Sequence, residues 1–306
     1  MAAPEQVASV VASLGGRAVL DMPLGSRTTY RVGGPAVVGF ELTEKDDDLR
    51  AAEALAGSGL EALVVGRGSN LLVPDAGFDG FAIVVSGSGV WGEITTGPGE
   101  RVRAGAGALL PVLARRSAAA GLSGLEWAVG VPGSVGGAVR MNAGGHGSDI
   151  SASLASVVVT DLHTGERAPR SADVLGLDYR HSELTPRELV TEAEFAVAPG
   201  EPAESSRIIE EIVRWRRENQ PGGQNAGSVF VNPEGDSAGR LVDSAGCRGL
   251  RMGTAEVSTK HANFIQADPG GRADDVIALI REVRSRVKEH SGVDLRPEVR
   301  LAGQTW

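Results

Sequence analysis

The chain is unusually rich in glycine, and its densest glycine cluster restricts the fold more than any other feature. Nine glycines fall between residues 121 and 147, and the whole chain has 43 among 306 residues, about twice the usual share of ~7%. The cluster has neither the collagen period nor the serine-rich texture of a linker. Glycine costs more backbone entropy on folding than any other residue, so a purely structural role does not account for this density. The pattern indicates backbone that turns tightly and lies against a large flat or phosphate-bearing ligand.

Composition and charge exclude several classes of protein. With 42% hydrophobic and 23% charged residues, the chain is an ordinary globular one rather than a disordered or coiled-coil protein. Its net charge of −9 argues against a nucleic-acid partner, because a protein that binds the phosphate backbone needs a basic face. Residues 1–16 contain no basic stretch before an apolar core, and no uncharged apolar run reaches ~18 residues. We therefore expect a cytoplasmic protein with no membrane partner, and we expect a monomer.

Cysteine and histidine give no sign of a metal centre. The single Cys247 excludes an internal disulfide framework and any CxxC metal or redox site. No pair of histidines has the spacing of metal ligands. We therefore expect no bound metal.

Helices and strands are mixed along the chain. The clearest predicted helix spans residues 274–289, where five apolar residues repeat at helical spacing. Thr43 and Asp46 resemble a capping box at the start of another. The further helices are predicted at 43–56, 109–120 and 204–217, and the strands at 62–65, 81–85, 101–104, 157–160, 189–197, 228–231 and 262–266. Because the order lacks strict βαβ alternation, we predict an α+β fold rather than a doubly wound sheet.

Two breaks in composition predict three domains. The sequence Pro-Gly-Glu-Pro at residues 199–202 is the clearest boundary, and a glycine- and serine-rich stretch near 86–92 is a second. The predicted domains are therefore 1–88, 89–200 and 201–306.

Two shorter glycine turns follow predicted strands. Residues 66–70 read Gly-Arg-Gly-Ser-Asn, and successive backbone N–H groups in such a turn form an anion-binding nest, although a plain tight connection explains the same residues equally well. Residues 105–107 read Gly-Ala-Gly between a strand and a helix, the context of a dinucleotide fingerprint. Leu110 stands at the third glycine position of that fingerprint, so a Rossmann domain is not favoured.

Ordered motifs cover nearly the whole chain. They lie at residues 29–34 (Thr-Tyr-Arg-Val-Gly-Gly), 66–70, 130–137, 142–147, 179–182 (Tyr-Arg-His-Ser), 226–233 (Ala-Gly-Ser-Val-Phe-Val-Asn-Pro), 258–264 and 295–300. Together they resemble the UDP-N-acetylenolpyruvoylglucosamine reductase (MurB) family of flavoproteins, in its shorter branch. Their number and order make this resemblance far more specific than any single glycine pattern.

The resemblance implies a fold and a cofactor. Residues 1–88 and 89–200 would form the two subdomains of a FAD-binding unit of the vanillyl-alcohol-oxidase type, and 201–306 an α+β substrate-binding domain. FAD would be held noncovalently, with its pyrophosphate along the glycine loops. The residues implied in cofactor binding are Arg31, Gly66, Arg67, Gly68, Ser69, Asn70, Leu71, Gly130, Pro132, Gly133, Ser134, Gly136, Gly137, Asn142 and Gly147.

The resemblance also implies a reaction. NADPH would reduce FAD, which would then reduce UDP-N-acetylglucosamine enolpyruvate to UDP-N-acetylmuramate for peptidoglycan synthesis. Ser228 matches the family's proton donor, and Glu298 matches its catalytic glutamate. Arg180 matches its active-site arginine, whose planar fork suits the substrate carboxylate. Outside these motifs, the same residues would be read as turn chemistry and surface ion pairs.

The chain departs from the family pattern at several positions. Val231 stands where a basic residue is common, so Lys260 or Arg217 would supply that substrate contact. Tyr179 and Asn232 are the other residues implied in substrate binding. His146 stands where the family has tyrosine, and no tyrosine-bearing insertion precedes Arg217, so substrate closure would use other groups.

Two other functions remain open from the sequence. One is a different FAD-dependent oxidoreductase or oxidase of the same fold, which would keep the cofactor residues and discard the C-terminal assignments. The other is a non-catalytic UDP-sugar binding protein. The presence of Arg180, Ser228 and Glu298 together favours the reductase.

Overall fold

The computed structural model describes residues 2–97 and 100–306, in which α-helices and short strands are interspersed. The helices are α1 (Pro4–Leu14), α2 (Asp47–Leu55), α3 (Leu110–Ala119), α4 (Val135–Met141), α5 (Pro202–Asn219), α6 (Ala238–Ser244) and α7 (Ala273–Ser291). None of the described helices is long and apolar enough to cross a membrane.

The strands are short and belong to several small sheets. They are β1 (Val19–Met22), β2 (Ala36–Leu42), β3 (Ala62–Val65), β4 (Leu71–Leu72), β5 (Phe78–Val85), β6 (Ile94–Gly97), β7 (Arg101–Gly105), β8 (Leu122–Ser123), β9 (Gly144–Gly145), β10 (Ser148–Asp149), β11 (Leu154–Asp161), β12 (Arg167–Ser171), β13 (Glu188–Ala196), β14 (Ala198–Pro199), β15 (Arg251–Met252), β16 (Ala255–Val257), β17 (Ile265–Ala267) and β18 (Arg300–Leu301). Sheets that are largely antiparallel, with helices interspersed, confirm the predicted α+β class.

The described residues form two compact units. The first comprises the described parts of 1–20, 38–67 and 80–216, and the second comprises 21–37, 68–79 and 217–306. Each unit is therefore built from segments that are distant in sequence. The three-domain division along the chain stays a prediction.

The first unit contains the two larger sheets. One has the strand order β1-β2-β5-β3, with β3 and β5 parallel, and most of its residues belong to this unit. The other is a five-stranded antiparallel sheet of order β12-β11-β13-β7-β6. Helix α4 contacts β7 and β13 of this second sheet, which brings the dense glycine cluster against it.

The second unit is built around α7 and a small antiparallel sheet of order β15-β16-β17. The apolar residues of α7 recur every three or four positions, so Val276, Ile280, Val283 and Val287 form one fully buried stripe. Gly292, with a φ of 75°, ends the helix. A parallel pair of β4 and β18 joins the glycine turn near residue 70 to the C-terminal segment of the same unit.

Three local predictions were wrong in detail. Thr43 and Asp46 do not form a capping box; α2 begins at Asp47, whose Oδ2 accepts hydrogen bonds from the backbone N–H groups of Thr43 and Glu44 at 2.8 and 2.7 Å. Residues 228–231 are not a regular strand, because only Phe230 forms a bridge, with Pro297. The strand predicted at 262–266 is instead Ile265–Ala267, since a turn occupies the residues before it.

Candidate functional site

Arg180 lies at the tip of a tight turn in the first unit. Asp178 and His181 exchange backbone hydrogen bonds of 3.1 and 2.9 Å, which leaves Tyr179 and Arg180 as the two central residues. Arg180 has a φ of 56°, an unusual value for a residue with a side chain. Its Nη2 donates to the Gly144 carbonyl at 2.9 Å, and its guanidinium lies 5.0 Å from the centre of the Tyr179 ring. Such backbone strain is concentrated at functional sites in proteins, so this turn is a candidate for ligand contact.

Asn142 fixes the base of that turn. Its side chain is buried, and its Nδ2 donates to the Asp178 carbonyl at 3.0 Å and to the Asp149 carboxylate at 3.4 Å. Its Oδ1 accepts a hydrogen bond from the Ser151 N–H at 3.0 Å. The observed partners of this amide are thus protein groups that hold the turn of Arg180. The cofactor contact expected of Asn142 stays a prediction.

Ser134 lies against both glycine loops of the first unit that were predicted to hold a cofactor. Its buried hydroxyl has no hydrogen-bond partner among the described residues. A β-carbon at Gly66 would collide with this hydroxyl, and a β-carbon at Gly137 would lie 3.4 Å from it. Gly137 and Pro132 are exposed, whereas Gly133 is buried and its carbonyl accepts the Leu110 N–H at 3.0 Å.

These residues fit a phosphate-bearing cofactor such as FAD. A buried polar group without a partner costs about 1–3 kcal/mol, so a ligand that hydrogen-bonds to it gains that amount. Trp127, in the turn before the second glycine loop, has a buried Nε1 that is also without a partner among the described residues.

Protein packing explains another part of the glycine cluster. A β-carbon at Gly136 would lie 2.9 Å from the Ala106 β-carbon, and one at Gly130 would lie 2.5 Å from His146 Cδ2. Both are closer than real side chains approach each other. Contact with a ligand is therefore not the only reason for the glycine density, because some glycines admit neighbouring parts of the protein.

His146 and α5 form a cluster that the sequence did not predict. His146 has a φ of 54°, and its ring meets the Trp215 ring edge-on at a centroid distance of 5.2 Å. Burial, and then the charge of Arg216, lowers the pKa of His146. Arg216 is half-buried and burial lowers its pKa too, whereas Arg217, predicted to bind substrate, is exposed. The spacing from buried Ile212 to Arg216 was the sequence signal for an inward-facing arginine.

Ser228 and Glu298 come together in the second unit. The backbone N–H of Glu298 donates to the carbonyl of Val229 at 2.7 Å, and Phe230 forms its bridge with Pro297. Ser228, the residue next to Val229, is half-buried, as is Glu298. Two residues that are 70 positions apart in sequence are thus held on neighbouring backbone segments.

The glycine turn of residues 66–71 begins in the first unit and continues in the second. A β-carbon at Gly68 would lie 2.7 Å from the Arg27 carbonyl oxygen, so side chains are excluded there by protein backbone. Asn70 donates from Nδ2 to the Glu298 carbonyl at 3.1 Å, and Leu71 continues into β4. Arg67 is exposed and Ser69 half-exposed.

Arg31 belongs to the second unit, as do residues 68–71 of the glycine turn. It is exposed and has a φ of 54°. Its backbone N–H donates to Thr28 Oγ1 at 3.2 Å, and the Thr29 N–H donates to the Gly68 carbonyl at 3.1 Å. Arg31, Asn142 and Arg180 are thus three predicted site residues with left-handed backbone.

The remaining predicted substrate residues have protein partners in the second unit. Lys260 donates from Nζ to the Arg217 carbonyl at 2.6 Å, so these two residues are adjacent. Asn232 accepts the Ala238 N–H at 3.0 Å and thereby caps the start of α6. Asn263, which the sequence did not single out, makes a dense set of hydrogen bonds close to Ser228. Across residues 2–97 and 100–306, no group of three acidic, cysteine or histidine residues is arranged to hold a metal ion.

Comparison with known protein families divides the chain into a cofactor part and a C-terminal part. Residues 39–167 match the family described as FAD binding domain. Residues 219–302 match the family described as UDP-N-acetylenolpyruvoylglucosamine reductase, C-terminal domain. The first match confirms the predicted FAD-binding unit, and the second covers Ser228, Lys260 and Glu298.

Individual relatives match over nearly their whole length. The UDP-N-acetylenolpyruvoylglucosamine reductase of Rubrobacter xylanophilus is 40% identical over 94% of this chain and 96% of its own. That of Synechococcus sp. strain RCC307 is 44% identical over 92% of this chain and 93% of its own. The crystal structure of the reductase (MurB) from Thermus caldophilus superposes with a TM-score of 0.77 at 37% identity, covering 93% of this chain and 97% of that one. The chain belongs to the UDP-N-acetylenolpyruvoylglucosamine reductase family.

Proposed function

We propose that this protein is a flavoprotein oxidoreductase that reduces UDP-N-acetylglucosamine enolpyruvate to UDP-N-acetylmuramate, with noncovalent FAD as cofactor and NADPH as reductant. The observation that carries the proposal is the backbone pairing that brings Ser228 and Glu298 together, in a chain about 40% identical to these reductases over nearly its whole length. The product serves peptidoglycan synthesis, and we extend the proposal to a cytoplasmic monomer that supports cell-wall growth, cell shape and cell division.

When bound, FAD would supply the hydride chemistry that links NADPH to the enolpyruvyl double bond. The glycine loops at 66–71 and 130–137 would hold it, together with Arg31, Asn142 and Gly147. Support comes from the buried Ser134 hydroxyl, which is without a protein partner and lies where Gly66 leaves room. A cofactor oxygen that hydrogen-bonds to this hydroxyl would remove the cost of burying it unsatisfied.

Arg180 stabilises the negative charge that develops on the substrate. Addition of hydride to the outer carbon of the enolpyruvyl group moves negative charge to the inner carbon and its carboxylate. A guanidinium presents a rigid pair of donors to such a group and stays charged at any physiological pH. The Arg180 side chain is already oriented by its hydrogen bond to the Gly144 carbonyl.

Ser228 delivers the proton that completes the reaction. A serine hydroxyl is a weak acid, so it must be placed directly against the carbon that gains the negative charge. The Glu298 carboxylate lies on the backbone segment paired with the Ser228 segment, where it assists proton transfer. After transfer, the serine recovers its proton from solvent, so that one hydride and one proton have been added to the double bond.

Tyr179, Arg217, Asn232 and Lys260 bind the UDP-sugar in this proposal. Tyr179 is 48% exposed beside Arg180, so its ring is available to a ligand. Lys260 and Arg217 provide two neighbouring cations suited to a diphosphate. Half-buried Arg216 is a further candidate for the same diphosphate.

The proposal is tested by anaerobic titration of the FAD-loaded protein. We expect NADPH to bleach the flavin, and one equivalent of the enolpyruvyl UDP-sugar to restore its colour, with a product heavier by two hydrogens. Rapid reoxidation by oxygen with indifference to the UDP-sugar would instead identify an oxidase of the same fold. Binding of the UDP-sugar without any flavin turnover would identify a non-catalytic binding protein.

A further inference from the structure

Asn263 stands out as a buried polar residue that the proposed chemistry does not use. We propose that Asn263 is a positioning residue for proton delivery: its side-chain amide fixes the backbone of Val229 and Phe230, and thereby the hydroxyl of the adjacent Ser228. The inference rests on the proposed function of Ser228. It assigns Asn263 no contact with substrate or cofactor.

The Asn263 side chain makes the pair of hydrogen bonds to Phe230 that the backbone of a neighbouring strand would otherwise make. Its Oδ1 accepts the Phe230 N–H at 2.9 Å, and its Nδ2 donates to the Phe230 carbonyl at 2.8 Å. Its own backbone carbonyl accepts the Val229 N–H at 2.8 Å. One residue thus makes three hydrogen bonds to two consecutive residues, and this residue is only 4% exposed.

The other edge of the same segment cannot provide these bonds. Phe230 faces Pro297 in an antiparallel bridge, while the hydrogen bonds of that pairing are made by Val229 and Val231 to residues on either side of the proline. In such an alternating pattern, the N–H and carbonyl of Phe230 point to the opposite edge, where Asn263 lies. Phe230 is 2% exposed, so water does not replace a lost partner there.

Ser228 is coupled to this anchor because it directly precedes Val229 and Phe230, the two residues that Asn263 holds. Gly227 has a φ of 76°, and a β-carbon there would meet nothing within 4 Å. Its N–H donates to Asn225 Oδ1 at 3.0 Å, two residues earlier in the chain. The segment that follows Ser228 therefore helps to set the position of its hydroxyl, and a displacement of ~1 Å at a reacting group can cost about 100-fold in rate.

The test uses the FAD-loaded protein in rapid-mixing experiments that separate the two half-reactions. Asn263→Asp keeps an acceptor for the Phe230 N–H and replaces the amide donor with a second carboxylate oxygen. We expect NADPH-driven bleaching within about twofold of the wild-type rate, and reoxidation by the enolpyruvyl UDP-sugar to slow by about 10- to 100-fold. The dissociation constant of the sugar, read from the oxidised flavin spectrum, should change by less than about twofold. Equal losses in both half-reactions would overturn the inference.

Two further variants keep the test decisive. Asn263→Ser loses both side-chain bonds to Phe230, because its hydroxyl is one carbon shorter than the amide, so its reoxidation should slow by at least about 10-fold. Reoxidation at the wild-type rate in this variant contradicts the inference. Thr254→Val is the matched control, since it removes two side-chain hydrogen bonds, to Asp275 and Arg272, elsewhere in the same unit. This control should leave both half-reactions unchanged, and a selective loss of reoxidation in it would count against a special role for Asn263.

A double-mutant cycle with Ser228→Ala separates positioning from general damage. If Asn263 acts through Ser228, Asn263→Asp should slow reoxidation of the Ser228→Ala protein by less than about twofold further. Losses that multiply would overturn the inference. A Ser228→Ala protein with wild-type reoxidation would refute the proposed role of Ser228 itself, whereas a slow Ser228→Ala beside an unaffected Asn263→Asp refutes only the positioning role.

Discussion

His146 combines a left-handed backbone, with a φ of 54°, and a ring that packs against Trp215, although the residue as a whole is exposed. Its ring excludes any side chain at Gly130 and meets Trp215 edge-on. Because burial and the Arg216 charge both lower its pKa, the folded protein holds this imidazole in its neutral form to lower pH than the unfolded chain does. The structure therefore resists protonation at this position.

His146→Tyr should change how stability depends on pH. Below the ordinary histidine pKa of about 6.5, the unfolded chain binds a proton that the folded protein does not, so the free energy of unfolding falls as pH decreases. The variant lacks this contribution, although His261, whose pKa burial and Arg248 also lower, retains its own. Denaturant unfolding at pH 7 and pH 5, with FAD in fixed excess, should show a smaller drop for His146→Tyr than for wild type. Exposed His290→Tyr is the control, and equal drops in wild type and His146→Tyr would contradict this account.

Helix α4 shows what sequence patterns miss at the scale of one element. With two adjacent glycines in seven residues, it has low intrinsic helix propensity, and the sequence predicted a ligand loop there instead. Packing overrides the propensity, because Gly136 allows the helix to approach Ala106 closely. The two glycines consequently have different surroundings and allow a matched experiment.

Gly136→Ala and Gly137→Ala should separate packing from ligand contact. Alanine at 136 would place its β-carbon 2.9 Å from Ala106, which should destabilise the protein by about 1–3 kcal/mol. Alanine at exposed Gly137 meets only Ser134 Oγ at 3.4 Å, so the apoprotein should be unchanged or up to ~1 kcal/mol more stable. If Gly137 lines the cofactor as proposed, its variant should nevertheless bind FAD more weakly. Thermal unfolding and FAD titration measure both effects; full FAD affinity in Gly137→Ala would refute that assignment.

Elements with a strong apolar period were predictable, whereas those defined by tertiary contacts were not. Helix α7 was found within two residues at each end because its buried stripe repeats at helical spacing. The residue types of 228–231 predict a strand, but the partners of this segment are the side chain of Asn263 and the stretch around Pro297. No local pattern indicates a partner that lies more than thirty residues away.

At the scale of the whole molecule, the sequence motifs were enough to recognise the family. The hydrogen bonds that hold the predicted site residues in place could not be predicted from the sequence. The motifs around Arg180, Ser228 and Glu298 led to the same family as relatives about 40% identical to the chain. No sequence pattern indicates that Asn142 holds the turn of Arg180, that Asn70 holds Glu298, or that Asn263 holds the segment after Ser228. Each amide bonds to backbone groups, which carry no residue identity, so the motifs that contain these asparagines do not reveal their partners.

The most direct test of the central claim is the effect of Ser228→Ala on the two half-reactions. The account predicts that NADPH bleaches the flavin of this variant within about twofold of the wild-type rate, because hydride transfer from NADPH needs no proton from Ser228. Reoxidation by the enolpyruvyl UDP-sugar should fall by about 10²- to 10⁴-fold, the usual contribution of a positioned proton donor. Equal loss in both half-reactions, or reoxidation at the wild-type rate, would contradict the role of Ser228 as the proton donor.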